Sequence, residues 1–195
     1  MRAPHSLGAV TLTAMLLTGC GTPAPFHATV ISDPLPASPL QVHDSRGGLF
    51  DLAAGKGHTV LVFFGYTHCP DVCPTTLADF ARARRMLKPR EQQAMQFVFV
   101  SVDPERDTPA KTEEYARQFD SSFVGLAPTQ PELENIGKAW GFAVFRDSIP
   151  GNSSSAYGVS HPAGVFLVDR EGRVRVVFSP GTVAADIAAD LKRLL

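Results

Sequence analysis

Two near-continuous apolar runs dominate the chain: Thr59-Val60-Leu61-Val62-Phe63-Phe64 and Phe97-Val98-Phe99-Val100-Ser101-Val102. Such runs, rich in β-branched and aromatic residues and lacking polar alternation, predict central strands covered on both faces. Upstream, Leu40-Gln41-Val42-His43-Asp44 alternates, Ser45-Arg46-Gly47-Gly48 is turn-like and Leu49-Phe50-Asp51-Leu52 follows, which predicts a hairpin. Gly65 to Pro74 is a punctuated loop. Leu77, Phe80, Ala83/Arg84 and Leu87 then recur at helical spacing, with Arg82, Arg84, Arg85 and Lys88 solvating the other face. After the second run, Thr108 and Pro109 have the chemistry of an N-cap and a first helical residue. A further helix is expected from Pro131 to Trp140, a short strand from Phe142 to Phe145, and a Gly/Ser/Asn loop from Asn152 to Tyr157. Val165–Val168, the turn Asp169-Arg170-Glu171-Gly172 and Val174–Phe178 predict a second hairpin. Val183, Ile187, Leu191 and Leu194 mark a closing amphipathic helix.

Strand, helix, strand, helix, hairpin, helix is the order of a thioredoxin-like α/β fold. It implies a central mixed sheet flanked by helices, here with an N-terminal β-hairpin. Residues 21–39 carry Pro23, Pro25, Pro34, Pro36 and Pro39 without a helical period, and read as a semi-extended tether. One domain is expected over residues 40–195.

Composition narrows the function. The chain has 195 residues and a formal net charge of −1. With no large basic field, nucleic-acid binding lacks electrostatic support. The three cysteines cannot all pair within one chain. Met1-Arg2-Ala3-Pro4-His5, an apolar stretch from Leu7 to Leu17, and Leu17-Thr18-Gly19-Cys20 form a signal-peptide pattern over residues 1–19. The stretch is too short to span a bilayer, which needs ~20 apolar residues. Its end resembles a bacterial lipobox, in which the thiol of Cys20 is acylated; an ordinary signal with a cysteine near its cleavage site is the blander reading. Acylation would anchor the protein to a membrane, with the domain on the periplasmic or extracytoplasmic side.

Cys69 and Cys73 remain, in Gly65-Tyr66-Thr67-His68-Cys69-Pro70-Asp71-Val72-Cys73-Pro74. In a helical turn, positions i and i+4 share a face. Two thiols there suit Cu(I), zinc or disulfide chemistry, and not magnesium or calcium. A metal needs a third ligand. His5 leaves with the signal, His27 lies in the tether, and His43 and His58 have strand-like surroundings. His68 adjoins Cys69, where side chains diverge. In a thioredoxin-like sheet the loop before Val165–Val168 approaches the cysteine end, which favours His161.

The Gly65–Pro74 block resembles the signature of the Sco/SenC proteins. Ser101-Val102-Asp103-Pro104-Glu105-Arg106-Asp107-Thr108-Pro109 resembles their second block, and Tyr157-Gly158-Val159-Ser160-His161 with the following strand resembles their third. The resemblance covers about residues 40–195. It implies a membrane-anchored, thioredoxin-like copper carrier rather than a catalyst. One copper ion, Cu(I) or Cu(II), would be held by Cys69, Cys73 and His161. The implied partner is the copper-bearing subunit of cytochrome c oxidase, or another copper protein. Family members commonly carry Asp before the histidine, where this chain has Ser160. Asp103 and Asp71 are candidates for a role behind the ligands; both also read as local structural residues, Asp103 in a turn and Asp71 at a helix start. The same two thiols also fit a redox-active disulfide in a thiol–disulfide oxidoreductase that reduces a partner. A structural disulfide in a peroxidase-like relative is a third possibility.

Overall fold

The computed structural model describes residues 24–148 and 157–195. The signal, Cys20 and nearly all of the loop expected at Asn152–Tyr157 lie outside the described residues. The elements run β1 (Thr29–Val30), β2 (Gln41–His43), β3 (Leu49–Asp51) and a 3-10 turn over Leu52–Gly55. Next come β4 (Thr59–Gly65), α1 (Val72–Arg85), α2 (Pro89–Gln93), β5 (Met95–Ser101), α3 (Pro109–Phe119) and β6 (Val124–Leu126). Then follow α4 (Gln130–Trp140), β7 (Phe145–Ser148), β8 (Tyr157–Ser160), β9 (Val165–Val168), β10 (Val174–Phe178) and α5 (Ala184–Leu194).

The two apolar runs form the middle of a sheet ordered β1-β10-β9-β4-β5-β6. Every residue of β4 is buried, and β4 runs parallel to β5 from Thr59↔Met95 to Gly65↔Ser101. β9 lies antiparallel on the other flank, Phe63 opposite Val165. β6 extends the parallel side, and β10 and β1 the antiparallel side. This is the mixed sheet of a thioredoxin-like fold.

Alternation along the strands divides the aromatic residues between two faces. Phe63 and Phe99 meet on one face, where Phe80 of α1 packs against Phe97 and Phe178 and Tyr115 of α3 against Phe99. α5 lies beside α1 on that face. On the other, Phe64 meets Trp140 of α4, Phe142 and Phe166.

Both expected hairpins form, at β2–β3 and β9–β10. The strand expected at Phe142–Phe145 is displaced to Phe145–Ser148. Gly141 ends α4 with φ +73°, and the Phe142 N–H turns back to the Gly137 carbonyl at 2.8 Å. Phe142 is thereby committed to the core against Phe64, and pairing starts only at Phe145.

The reading of residues 21–39 as a tether, with the domain beginning at Leu40, is corrected from His27 onward. Thr29 and Val30 pair with Val177 and Val176, and Pro36 bridges to Arg173. The carboxylate of Asp190 on α5 accepts the N–H groups of His27 and Ala28 at 2.9 and 2.8 Å, and the His27 ring at 3.2 Å. The prolines exclude helix but permit an edge strand, where missing donors cost little.

Strand directions fix the two ends of the molecule. β4 and β10 both end at the cysteine end, so α5 runs from there to the opposite end. Arg193, in the last turn of α5, donates to the carbonyl of Ala24 at 2.8 Å. The described chain therefore enters at the end remote from the cysteines. No helix among the described residues is long and apolar enough to cross a membrane.

Candidate metal centre

The cysteines sit where β4 hands over to α1. Asp71 is the N-cap of α1, so Cys73 is its second residue. Cys73 is fully buried, while Cys69 is half-buried, and both thiols are free. Burial pushes the Cys73 thiol pKa up, so its proton is firmly held until a metal displaces it. Gly65 makes room for this thiol. A β-carbon there would lie 2.9 Å from Cys73 Sγ and 2.6 Å from the Phe99 ring.

The expectation that both cysteines share a helical face is corrected. Cys69 precedes the helix, in a turn closed by its N–H to the Tyr66 carbonyl at 3.2 Å. The backbone N–H of Cys73 donates to Cys69 Sγ at 3.4 Å, which ties the Cys69 side chain to the helix start that carries Cys73. This is the orphan donor of a helix start aimed at a sulfur.

His161 follows β8 directly. Its Nε2 lies 4.0 Å from Cys73 Sγ. Its Nδ1 lies 2.9 Å from the Pro162 carbonyl, which can only accept, so Nδ1 carries the proton. In the neutral ring Nε2 then presents a lone pair to the thiol. Burial pushes the imidazole pKa down and favours this neutral form. The Tyr66 ring meets the His161 ring edge-on, with centroids 5.8 Å apart. A cleft of about 330 Å³ opens here, lined by Tyr66, Cys69, Val72, Val159 and His161.

Two sulfurs and one imidazole are a soft donor set that fits copper and leaves a position open. Metal bonds of ~2.3 Å to sulfur and ~2.0 Å to nitrogen are compatible with the 4.0 Å gap between Cys73 Sγ and His161 Nε2.

The other histidines fall elsewhere. His27 is docked on α5. His43 and His58 are exposed, away from the cleft. His68 faces Asp107, 3.6 Å away. With Asp103 and Asp107 it forms a cluster whose potential ligand atoms lie within 4.8 Å of one another, but both carboxylates already have close partners. Asp107 accepts Thr67 N–H at 2.9 Å, Thr67 Oγ1 at 2.5 Å and Ser101 Oγ at 2.6 Å.

Asp107 holds the cysteine loop through Thr67, two residues before Cys69. Its position next to Thr-Pro reads as helix entry, which hid this role. Asp103 is buried and accepts the Tyr157 hydroxyl at 2.8 Å, besides pairing with Arg106. It touches no proposed ligand directly. Asp71 is an exposed helix-opening residue, its carboxylate accepting Thr75 Oγ1 at 3.4 Å. Ser160, in place of the commoner Asp, donates to Asp147 on the adjacent strand at 2.5 Å. A carboxylate therefore still lies one hydrogen bond from the residue before His161.

A thioredoxin-like sheet with two thiols at its end and an imidazole 4.0 Å from the inner one suits a soft metal ion or thiol exchange. Residues 32–195 match the model of the SCO1/SenC family, and the chain belongs to that family. A Stutzerimonas stutzeri protein named for copper binding is 32% identical over 158 residues, covering 80% of this chain and 73% of that one. The solution structure of apo Sco1 from Thermus thermophilus superposes with a TM-score of 0.78 at 36% identity, covering 90% of this chain and 100% of that one. Bradyrhizobium japonicum ScoI with copper bound gives 0.71 at 35% identity, covering 83% and 100%.

Proposed function

We propose that this chain is a membrane-anchored copper carrier. It holds one copper ion between Cys69, Cys73 and His161 and assists assembly of the dinuclear copper centre of cytochrome c oxidase. One observation carries the reading: Nε2 of His161 lies 4.0 Å from the buried Cys73 sulfur. Plain thiol exchange needs no third group there.

Cys73 is sealed from solvent and Cys69 is not. Copper would enter and leave from the Cys69 side of the cleft, with Cys73 as the inner donor. Acylation of Cys20 supplies the anchor. Cys20 to Ala24 spans at most ~14 Å, so an acylated protein would hold the α5 C-terminal end near the membrane and present the cleft away from it.

The second reading is thiol–disulfide exchange, favoured by the two free thiols held together at a helix start. Cys69 and Cys73 would close a disulfide, passing two electrons and two protons to a partner disulfide, which opens to two thiols. The two readings separate in a cell whose oxidase depends on this protein. Under copper carriage, His161→Ala weakens copper binding at least ~100-fold and abolishes oxidase assembly. Assembly that survives His161→Ala and fails in Cys69→Ala would establish exchange instead.

A further inference from the structure

The half-site carrying His161 is weakly attached by its own elements. Among the described residues β7 and β8 pair only with each other, all four residues of β7 are exposed, and within β8 only Val159 is buried. An isolated two-stranded hairpin is marginal in water. Yet His161 must meet the cysteines with a tolerance of about half an ångström for a metal site to be preorganised.

We propose that Arg106, Asp103 and Tyr157 form a clasp that sets the position of His161 for copper capture. This inference rests on the copper reading above. The Tyr157 hydroxyl donates to Asp103 Oδ1 at 2.8 Å. Arg106 Nε pairs with Asp103 Oδ2, and Arg106 Nη1 donates to the Tyr157 carbonyl at 3.1 Å. The guanidinium stacks over the Tyr157 ring at 3.6 Å. The same guanidinium lies 5.7 Å from the Tyr66 ring, which makes a T-shaped pair with the His161 ring. At the rim, Arg146 of β7 pairs with Glu105. The hairpin is thus gripped at the backbone carbonyl, ring and hydroxyl of Tyr157 by Asp103 and Arg106.

The loop after β5 grips both halves of the centre. Asp107 holds Thr67 of the cysteine loop, while Asp103 and Arg106 hold Tyr157, four residues before His161. Ser101 Oγ joins the two grips, donating to Asp107 at 2.6 Å and accepting the Asp103 N–H at 3.1 Å. The cysteine and histidine segments, distant in sequence, are referenced to this one loop. Arg106, Asp103 and Tyr157 touch no copper donor and act as positioning residues.

The test is a double-mutant cycle on the reduced protein. Copper affinity is measured by competition with a chelator in wild type, Arg106→Ala, His161→Ala and the double variant, with Tyr157→Phe as the milder partner should Arg106→Ala fail to fold. Changes directly behind metal ligands cost ~10–100-fold in affinity; Arg106 acts through Tyr157, so Arg106→Ala should cost a measurable loss no larger than this. In the His161→Ala background the same change should cost nothing further. An equal loss in both backgrounds, or no loss in either, overturns the clasp. Amide exchange of the apo protein provides a readout without copper. Residues 158–161 should exchange faster in Arg106→Ala while 66–69 do not, and unchanged exchange at 158–161 also overturns the clasp. Absence of copper binding by wild type would defeat the copper reading, and the exchange data would still decide whether Arg106 holds the hairpin.

Discussion

Thr67 and Asp107, 40 residues apart, are joined by two hydrogen bonds: the Thr67 N–H at 2.9 Å and its hydroxyl at 2.5 Å meet the two carboxylate oxygens. Asp107 is buried, and it fixes the loop that presents Cys69. Asp107→Ala leaves the Thr67 N–H and the Ser101 hydroxyl without this acceptor. Each buried group so orphaned costs ~1–3 kcal/mol, and urea unfolding should show a loss in that range or larger. Copper affinity should fall as well, because the loop is released near Cys69.

Gly65 is required by contact rather than by backbone conformation. In Gly65→Ala the added carbon meets the Cys73 sulfur and the Phe99 ring, and overpacking of this kind costs ~1–3 kcal/mol. The expected result is a lower unfolding midpoint together with weakened copper binding. An unchanged copper affinity would mean that Cys73 can shift without consequence.

Copper binding should release protons. Burial raises the Cys73 thiol pKa in the apo protein, so at neutral pH copper displaces that proton. The bound state then holds fewer protons than the free state, and affinity rises with pH. That proton alone contributes about tenfold per pH unit. Titrations in two buffers of different ionisation enthalpy measure the number released. Cys73→Ser, which has no thiol proton to displace, should lose this component along with most of the affinity.

The N-terminal segment is held by Asp190, which is buried and takes two backbone N–H groups and the His27 ring. Asp190→Ala should loosen residues 27–31, visible as faster amide exchange, with a stability loss of ~1–3 kcal/mol. Copper affinity should stay at the wild-type value, since this grip lies on α5, apart from the cleft. A large affinity loss would mean that the segment supports the centre as well as the edge of the sheet.

Much of this architecture was legible in the chain. The two apolar runs could only be covered central strands, and Thr108-Pro109 could only open a helix. The ten-residue cysteine block identified the thiols. Other features depended on contacts that no local pattern carries. β1 is two residues long among prolines, and it joins the domain through its pairing with β10 and through the Asp190 carboxylate that holds the residues before it. β6 is three residues long and exists because Gly125 lets the strand approach the α3 backbone, where a β-carbon would lie 2.1 Å from the Thr112 carbonyl. Asp107 and Arg106 act across 40 and 51 residues respectively. Spacing rules could not have found them, although they stand in the block that the sequence had singled out.

In the proposed function His161 completes a copper site with Cys69 and Cys73. The most direct measurement is a copper titration of the reduced protein against a competing chelator, comparing wild type with His161→Ala. Wild type should take up one copper per chain. His161→Ala should bind at least ~100-fold more weakly, since losing a ligand costs at least as much as disturbing its surroundings. Equal affinity in the two proteins would contradict the account and leave the cysteines to act as a redox pair.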